Sequence, residues 1–316
     1  MLAGHADGGG DRSAGEGGDG RRTVKAVLAR ALAACLIALV AHASAGAQIT
    51  IRDDRGVTTS FAAVPTRIVS LLPSLTEAVC TLGACASLVG IDRFSNWPAE
   101  VARLPKVGSM EDAQIERVVA LRPDVVLLGP SVRAIDRLEA LGLKVVAIQS
   151  QTHADVRHML ETLARLLGRP EAAQPLWAAI EADLQRAAQR VPAALRGQRV
   201  YFEITAAPHA AGVGSFIDET LRRLGMANAV PAELGPFPRL NPEFVVRLQP
   251  DIVMATRRDL AEMARRPGWA GLRALQRQRS CGFPIETYEV LIRPGPRLGE
   301  AALELARCLA ELNTRS

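Results

Sequence analysis

The sequence predicts an α/β protein of two Rossmann-like lobes, each with a central, largely parallel sheet, joined by one long rigid α-helix. Three observations carry this expectation. Apolar strands alternate with amphipathic helices from Arg67 onward, a long helical pattern follows, and the strand–helix alternation then begins again. Residues 65–152, 153–195 and 196–316 are accordingly assigned to an N-terminal lobe, a bridging helix and a C-terminal lobe.

The chain opens with a leader. Met1 to Gly20 is rich in Gly and Asp and too poor in apolar surface to fold. Arg21, Arg22, Lys25 and Arg30 then precede the apolar run Ala31 to Ala41, followed by Ala45-Gly46-Ala47. A basic stretch, a short apolar run and a small-residue site make a secretory signal peptide cut after Ala47, so the mature chain is expected to be exported. The run is too short to span a bilayer, which takes about 20 residues. Leu32-Ala33-Ala34-Cys35 has the form of a lipoprotein box, but Arg30 interrupts the apolar stretch before it and most of the run comes after it. That order argues against a lipid on Cys35.

Residues 48–64 read as a β-hairpin, two alternating segments about Asp54-Arg55-Gly56. Strands follow at Ile68 to Leu72, Leu88 to Ile91, Val125 to Leu128 and Val145 to Ile148. Helices are expected near Thr76 to Leu82, Ala113 to Leu121 and Val132 to Leu141. Ala154 to Leu195 keeps helical periodicity, weakened only at Gly168-Arg169-Pro170. At about 1.5 Å per residue such a helix runs the length of a domain. The second series has strands at Val200 to Ile204, Ile252 to Ala255 and Gly282 to Ile285, and closes on a helix from Gly299 to Leu312.

The halves repeat each other. Glu116 to Val126 aligns with Glu243 to Val253, and both contain Glu, then Leu-x-Pro-Asp, in one register (Leu121 to Asp124, Leu248 to Asp251). Upstream, Arg67-Ile68-Val69 and Leu82-Gly83 are echoed by Arg199-Val200-Tyr201 and Leu224-Gly225, as expected of an internally duplicated domain. Each element also has a plain structural reason. Pro stops a helix before the strand, and a glutamate in a first helical turn complements the macrodipole.

Four cysteines follow the leader: Cys80, Cys85, Cys281 and Cys308. An even count in an exported chain permits disulfides, and Cys281 with Cys308 would tie a late strand to the last helix. Buried thiols at Cys80 and Cys308 are the alternative, and spacing does not choose among the connectivities. No Cys/His spacing suggests a structural metal. Loss of residues 1–47 lowers the formal charge of +5 by one, and the arginines are dispersed, so no nucleic-acid surface is expected.

Ser70-Leu71-Leu72-Pro73-Ser74-Leu75-Thr76-Glu77, Phe94-Ser95-Asn96-Trp97-Pro98, Ala211-Gly212-Val213-Gly214-Ser215-Phe216 and Arg293-Pro294-Gly295-Pro296-Arg297 together resemble a known family. They are similar to the cobalamin-binding members of the periplasmic binding proteins that also carry haem and ferric siderophores, and the likeness runs from about Thr66 to Leu312. It implies the class III architecture, a monomer that clasps its ligand between the lobes, and no enzymatic activity. It also implies the periplasm as the place of the mature chain, and a dimeric ABC permease, with its ATPase subunits, in the inner membrane. The family presents one glutamate per lobe to permease arginines, which here corresponds to Glu116 and Glu243. A pseudo-twofold pair of carboxylates suits a twofold partner.

The ligand expected is a corrinoid such as vitamin B12, with haem or a ferric siderophore as the alternative; no resident cofactor or metal is expected. The cleft loops offer Pro73, Ser74, Phe94, Trp97, His209, Gly214, Phe237, Tyr288, Arg293 and Arg297 as ligand-binding candidates. His209 could coordinate a metal centre or hydrogen-bond a ligand amide, and amides near Gly214 and Ser215 could do the latter. Arg293 and Arg297 suit anionic ligand groups. An exported α/β hydrolase is the competing class. No Gly-x-Ser-x-Gly elbow is present, and no histidine follows His209.

Overall fold

The structure, a computed structural model, describes residues 48–206 and 208–314. The expected leader, with Cys35 and the cleavage site after Ala47, lies outside the described residues. No helix among the described residues is long and apolar enough to cross a membrane.

β1 (Ile49–Arg52) and β2 (Thr58–Phe61) form an antiparallel hairpin. Asp53 builds its turn, with Oδ1 accepting from the amides of Arg55 and Val57, both at 3.0 Å. Its other oxygen accepts from the amide of Ala147 at 3.1 Å and so ties the hairpin to the first lobe. That lobe comprises β3 (Ile68–Ser70), α1 (Pro73–Thr81), β4 (Leu88–Ile91), α2 (Ile115–Ala120), β5 (Val125–Leu128), α3 (Ile135–Ala140) and β6 (Val145–Ala147). Its sheet has the order β4-β3-β5-β6 and is parallel throughout. Helices cover both faces of such a sheet, which is why the strands read as unbroken apolar runs instead of alternating ones.

The bridging segment departs from expectation. Instead of one helix there are two, α4 (His153–Leu166) and α5 (Ala173–Arg190). A capping box opens α4, in which Thr152 Oγ1 accepts the Asp155 amide and the Asp155 carboxylate accepts the Thr152 amide. Its end is set by Gly168, whose φ of +68° is open to glycine at little cost. There the amide of Arg169 reaches the carbonyl of Ala164 at 2.8 Å, and that of Gly168 reaches Arg165 at 3.1 Å. Pro170 then starts a short 3₁₀ turn into α5. Glycine and proline together outweigh the apolar periodicity that runs through them.

The second lobe continues with β7 (Arg199–Thr205), β8 (His209–Ala210), α6 (Phe216–Arg223), β9 (Ala227–Asn228), α7 (Pro242–Leu248), β10 (Ile252–Thr256), α8 (Arg257–Met263), α9 (Arg273–Gln276), β11 (Ser280–Phe283), α10 (Ile285–Leu291) and α11 (Leu298–Thr314). Strands β11, β10, β7 and β9 are parallel, and β8 runs antiparallel to β7. One buried cluster runs from Leu75 and Leu160 through Ile180 to Phe202 and Leu309, so a continuous core spans the two bridging helices and both sheets.

The internal repeat is visible as matched hydrogen bonds. Asp124 Oδ2 accepts the Arg67 amide at 2.9 Å, and Asp251 Oδ2 accepts the Arg199 amide at 2.8 Å. Arg67 Nη2 donates to the Leu121 carbonyl and Arg199 Nη2 to that of Gln249, at 2.6 and 2.7 Å. Before each Pro-Asp pair stands a left-handed residue, Arg122 at φ 46° and Gln249 at φ 42°. The Asp of each Leu-x-Pro-Asp corner thus pins the first strand of its own sheet. Disulfides join Cys80 to Cys85 and Cys281 to Cys308. Cys80 and Cys308 are therefore not buried thiols. The turn after α1 brings Cys85 back beside Cys80 at a Cα separation of 4.0 Å.

Candidate functional site

In both sheets the loops that follow the strands are the ones that meet. The segment after β4 touches the segment after β11, where Asn96 Nδ2 donates to Glu289 Oε2 at 2.7 Å. The segment after β6 touches the start of α6, where the Phe216 amide reaches the Gln151 carbonyl at 2.6 Å. Carboxyl ends of parallel strands are where open α/β sheets bind ligands. Here two such ends oppose each other.

The first wall is the loop Asp92 to Pro98. A chain of hydroxyls supports it from below: Ser95 Oγ lies 2.9 Å from Thr76 Oγ1, which donates to Ser70 Oγ at 2.9 Å. Asp92, bonded to Ser95, also accepts the Phe94 amide at 2.7 Å. Burial pushes the Asp92 carboxyl up, while the bonds from Ser95 and Phe94 hold it down. With its backbone anchored in this way, the loop presents Phe94 outward at 57% exposure. Trp97 is half-buried, and the Arg297 guanidinium lies 4.8 Å from its ring centroid.

The second wall comes from β8, the start of α6, and residues 235–240. Gly212 is required there, because a Cβ would lie 2.1 Å from the Gly235 carbonyl oxygen. That close approach lets the Gly212 amide reach the Pro236 carbonyl and the Ala210 amide the Pro238 carbonyl, at 2.9 and 3.0 Å. Phe237 rises from this segment at 42% exposure and leans on buried Phe216, with ring centroids 6.4 Å apart. His209 lies in β8 and not in a loop, half-buried, with Nδ1 3.1 Å from Thr205 Oγ1.

The other candidates fare differently. Pro73 is half-buried as the first residue of α1, and Ser74 is buried against Gly295 of the other lobe. The Gly214 amide is taken by Asp218 at 3.1 Å, and the amide of Asp218 by Ser215 Oγ at 3.1 Å. Those amides therefore cap their own helix instead of facing a ligand. Arg297 binds Glu300 through Nε at 2.8 Å and Nη2 at 2.6 Å, which neutralises its charge in place.

Tyr288 does not reach this surface. It is 2% exposed, stacked on Phe202 with centroids 5.7 Å apart, and its hydroxyl donates to the Glu203 carbonyl. The reason is local: residues 285–291 form a helix, not a loop, and this turns the ring into the core. Burial pushes the phenol well up. Beside it, Arg266 holds buried Glu203 in a two-point contact at 2.7 and 2.9 Å. Sequence reasoning passed over that pair, since an acidic residue inside a strand gives no sign of its distant partner.

Arg293 is also withdrawn from the cleft, to 7% exposure. Its Nη1 donates to Glu77 Oε1 at 2.9 Å and to Asn96 Oδ1 at 2.8 Å. Nη2 donates to the Phe94 carbonyl and pairs with Glu289, both at 3.0 Å. One guanidinium therefore ties the approach to α11 to both α1 and the Phe94 loop. Desolvation raises the Glu77 carboxyl and Arg293 opposes that rise, while Glu77 Oε2 has no hydrogen-bond partner. Glu77 was not among the sequence candidates; its place on the buried side of α1 hid it.

Glu116 and Glu243 are exposed and stand in the first turns of α2 and α7. Glu116 lies 3.8 Å from Arg137, and the Glu243 amide is capped by Asn241 Oδ1 at 2.8 Å.

Comparison with known proteins agrees with this geometry. Over 272 residues the chain is 28% identical to an uncharacterised ABC transporter substrate-binding lipoprotein of Bacillus subtilis, covering 83% of this chain and 85% of that one. It is 26% identical over 264 residues to the vitamin B12-binding protein of Pectobacterium atrosepticum, with coverages of 80% and 92%. The periplasmic haem-binding protein RhuT of Roseiflexus sp. RS-1 superposes with a TM-score of 0.68 at 23% identity, over 78% of this chain and 98% of that one; this likeness shows the fold. The chain is a binding protein and not an enzyme. Residues 68–281 match the family described as periplasmic binding protein, and the chain belongs to it.

Proposed function

We propose that this chain is the periplasmic solute-binding component of an ABC importer, and that its cargo is a corrinoid of the vitamin B12 class. The observation that carries the reading is the pair of aromatics exposed in strand-end segments, Phe94 on one lobe and Phe237 on the other. Flat, exposed rings flanking a crevice suit a broad macrocycle, because large ligands are held mainly by apolar and aromatic surface. The relatives support the transport role, and the one from Pectobacterium atrosepticum is a vitamin B12-binding protein. Glu116 and Glu243 then serve as matched handles for a twofold permease, each exposed in the first turn of its helix.

Haem or a ferric siderophore is the second reading, and His209 favours it. With Nδ1 against Thr205 Oγ1, its Nε2 is the nitrogen left to bind a metal centre, the arrangement in which a second hydrogen bond fixes a ligating imidazole. Titration of the purified protein with cyanocobalamin, haemin and a ferric hydroxamate, followed in the visible spectrum, tests both readings. Saturable 1:1 change with cyanocobalamin alone supports the first. A Soret shift with haemin that is lost in His209→Ala supports the second, and no response to any of the three overturns both.

A further inference from the structure

At the opposite edge of the second sheet lies a concavity of about 640 Å³ lined by Arg196, Gln198, Asp251, Arg273, Arg277 and Arg279. These residues stand immediately before β7, β10 and β11 or on α9, so the cavity opens at the amino ends of the strands. The cargo crevice is at their carboxyl ends. The two sites are therefore separated by the length of the strands.

The charge in this cavity is unbalanced. Three guanidiniums, those of Arg196, Arg273 and Arg277, face one carboxylate, and that carboxylate is engaged: Asp251 Oδ2 accepts the Arg199 amide at 2.8 Å and lies 3.8 Å from Arg199 Nε. Arg279 is positioned by Gln198, to whose Oε1 its Nη2 donates at 2.6 Å. Among the described residues, Arg196, Arg273 and Arg277 have no carboxylate within ion-pair distance. Elsewhere other arginines are paired with carboxylates, as Arg265 is with Glu262, Arg297 with Glu300 and Arg307 with Glu304 and Glu311. Like charges gathered in a concavity repel each other, and low-dielectric walls focus their field. Their forked donors match phosphate and carboxylate oxygens.

We propose that this cavity is an anion site for a small molecule with several phosphate or carboxylate groups. Its volume is that of a small-molecule pocket, for which roughly 300–1,000 Å³ is usual, and its concave shape favours a compact ligand over a flat membrane. The inference does not rest on the identity of the cargo.

Inorganic tripolyphosphate is the probe. Calorimetric titration of the full chain at about 20 mM and about 150 mM salt should give saturable 1:1 binding that weakens with salt, because exposed charges are screened. The charge reversal Arg273→Glu with Arg277→Glu should weaken it by roughly tenfold or more while the melting temperature and cargo binding stay unchanged. Absence of saturable binding at low salt overturns the proposal, as does equal affinity in the variant. Sedimentation with phosphatidylglycerol vesicles is the third arm, and vesicle binding without tripolyphosphate binding also overturns it, because the headgroup surface would then be the partner.

Discussion

Replacing Arg293 by methionine removes the cation from a carboxylate that is 1% exposed. Glu77 Oε1 loses its charged partner, and Oε2 has none to begin with. Breaking a buried pair from one side costs about 3–5 kcal/mol. Proton uptake sets a ceiling on the Glu77 part of that cost, because Glu77 can neutralise itself. From an ordinary glutamate pKa of about 4.3, with 1.36 kcal/mol per unit, the ceiling is about 3.7 kcal/mol at pH 7 and roughly 1 kcal/mol at pH 5. The sign follows from linkage: a carboxyl whose folded-state pKa is raised loses stability as pH climbs from the unfolded value through the folded one. Urea unfolding of wild type and Arg293→Met at both pH values measures the difference. The expected loss is about 3 kcal/mol at pH 7, shrinking to about 1 kcal/mol at pH 5, with Glu77→Gln restoring most of it in the double variant. A loss independent of pH, or one that Glu77→Gln does not relieve, would refute the role given to this pair.

Reversing both handles, Glu116→Arg with Glu243→Arg, should leave cargo affinity unchanged and abolish transport by the cognate permease in reconstituted vesicles; joint loss of affinity and transport contradicts the docking role. Burial lowers the His153 pKa below its ordinary 6.5, with Nε2 bonded to Phe216 and Thr220 and Nδ1 without a hydrogen bond, 3.9 Å from the Glu219 carboxylate that opposes the shift. The stability it contributes is present above that value and lost as the pH falls below it. His153→Gln should therefore flatten the decline in melting temperature between about pH 7 and about pH 5, and an unchanged slope rules this out. Opening the Cys281–Cys308 bridge, with a sequence separation of 27, should cost about 3.5 kcal/mol on loop-closure grounds. Opening Cys80–Cys85, with a separation of 5, should cost roughly 2 kcal/mol, and the reverse order of the two paired Cys→Ser variants in urea would contradict this.

The sheets and the duplication were legible because their signals are local. Buried parallel strands read as apolar runs, and Leu-x-Pro-Asp recurs because its aspartate does the same job in each lobe, accepting the amide of Arg67 or Arg199. Phe94 and Phe237 were legible as rings in loops with no core to enter, and they emerge exposed on opposite lobes. What the sequence hid depends on partners far along the chain. Arg293 looks like a free cation beside a turn until Glu77, more than two hundred residues earlier, is brought to 2.9 Å. Tyr288 was misplaced because a seven-residue helix without a capping side chain leaves little trace, and its ring turns inward to Phe202. At Gly168-Arg169-Pro170 the break was visible as a weak point, yet the apolar pattern on either side suggested continuity. The continuous core beneath α4 and α5, and not an unbroken helix, is what joins the lobes.

A cargo held in the proposed site lies against both Phe94 and Phe237. Affinity for whichever of cyanocobalamin, haemin or ferric hydroxamate binds should be measured in wild type and in Phe94→Ser with Phe237→Ser. Both rings are exposed, at 57% and 42%, so the melting temperature should not change. Each truncation of a ligand-facing ring costs more than about 1 kcal/mol, and the pair should weaken binding by roughly 50-fold. Undiminished affinity in the double variant would put the cargo elsewhere.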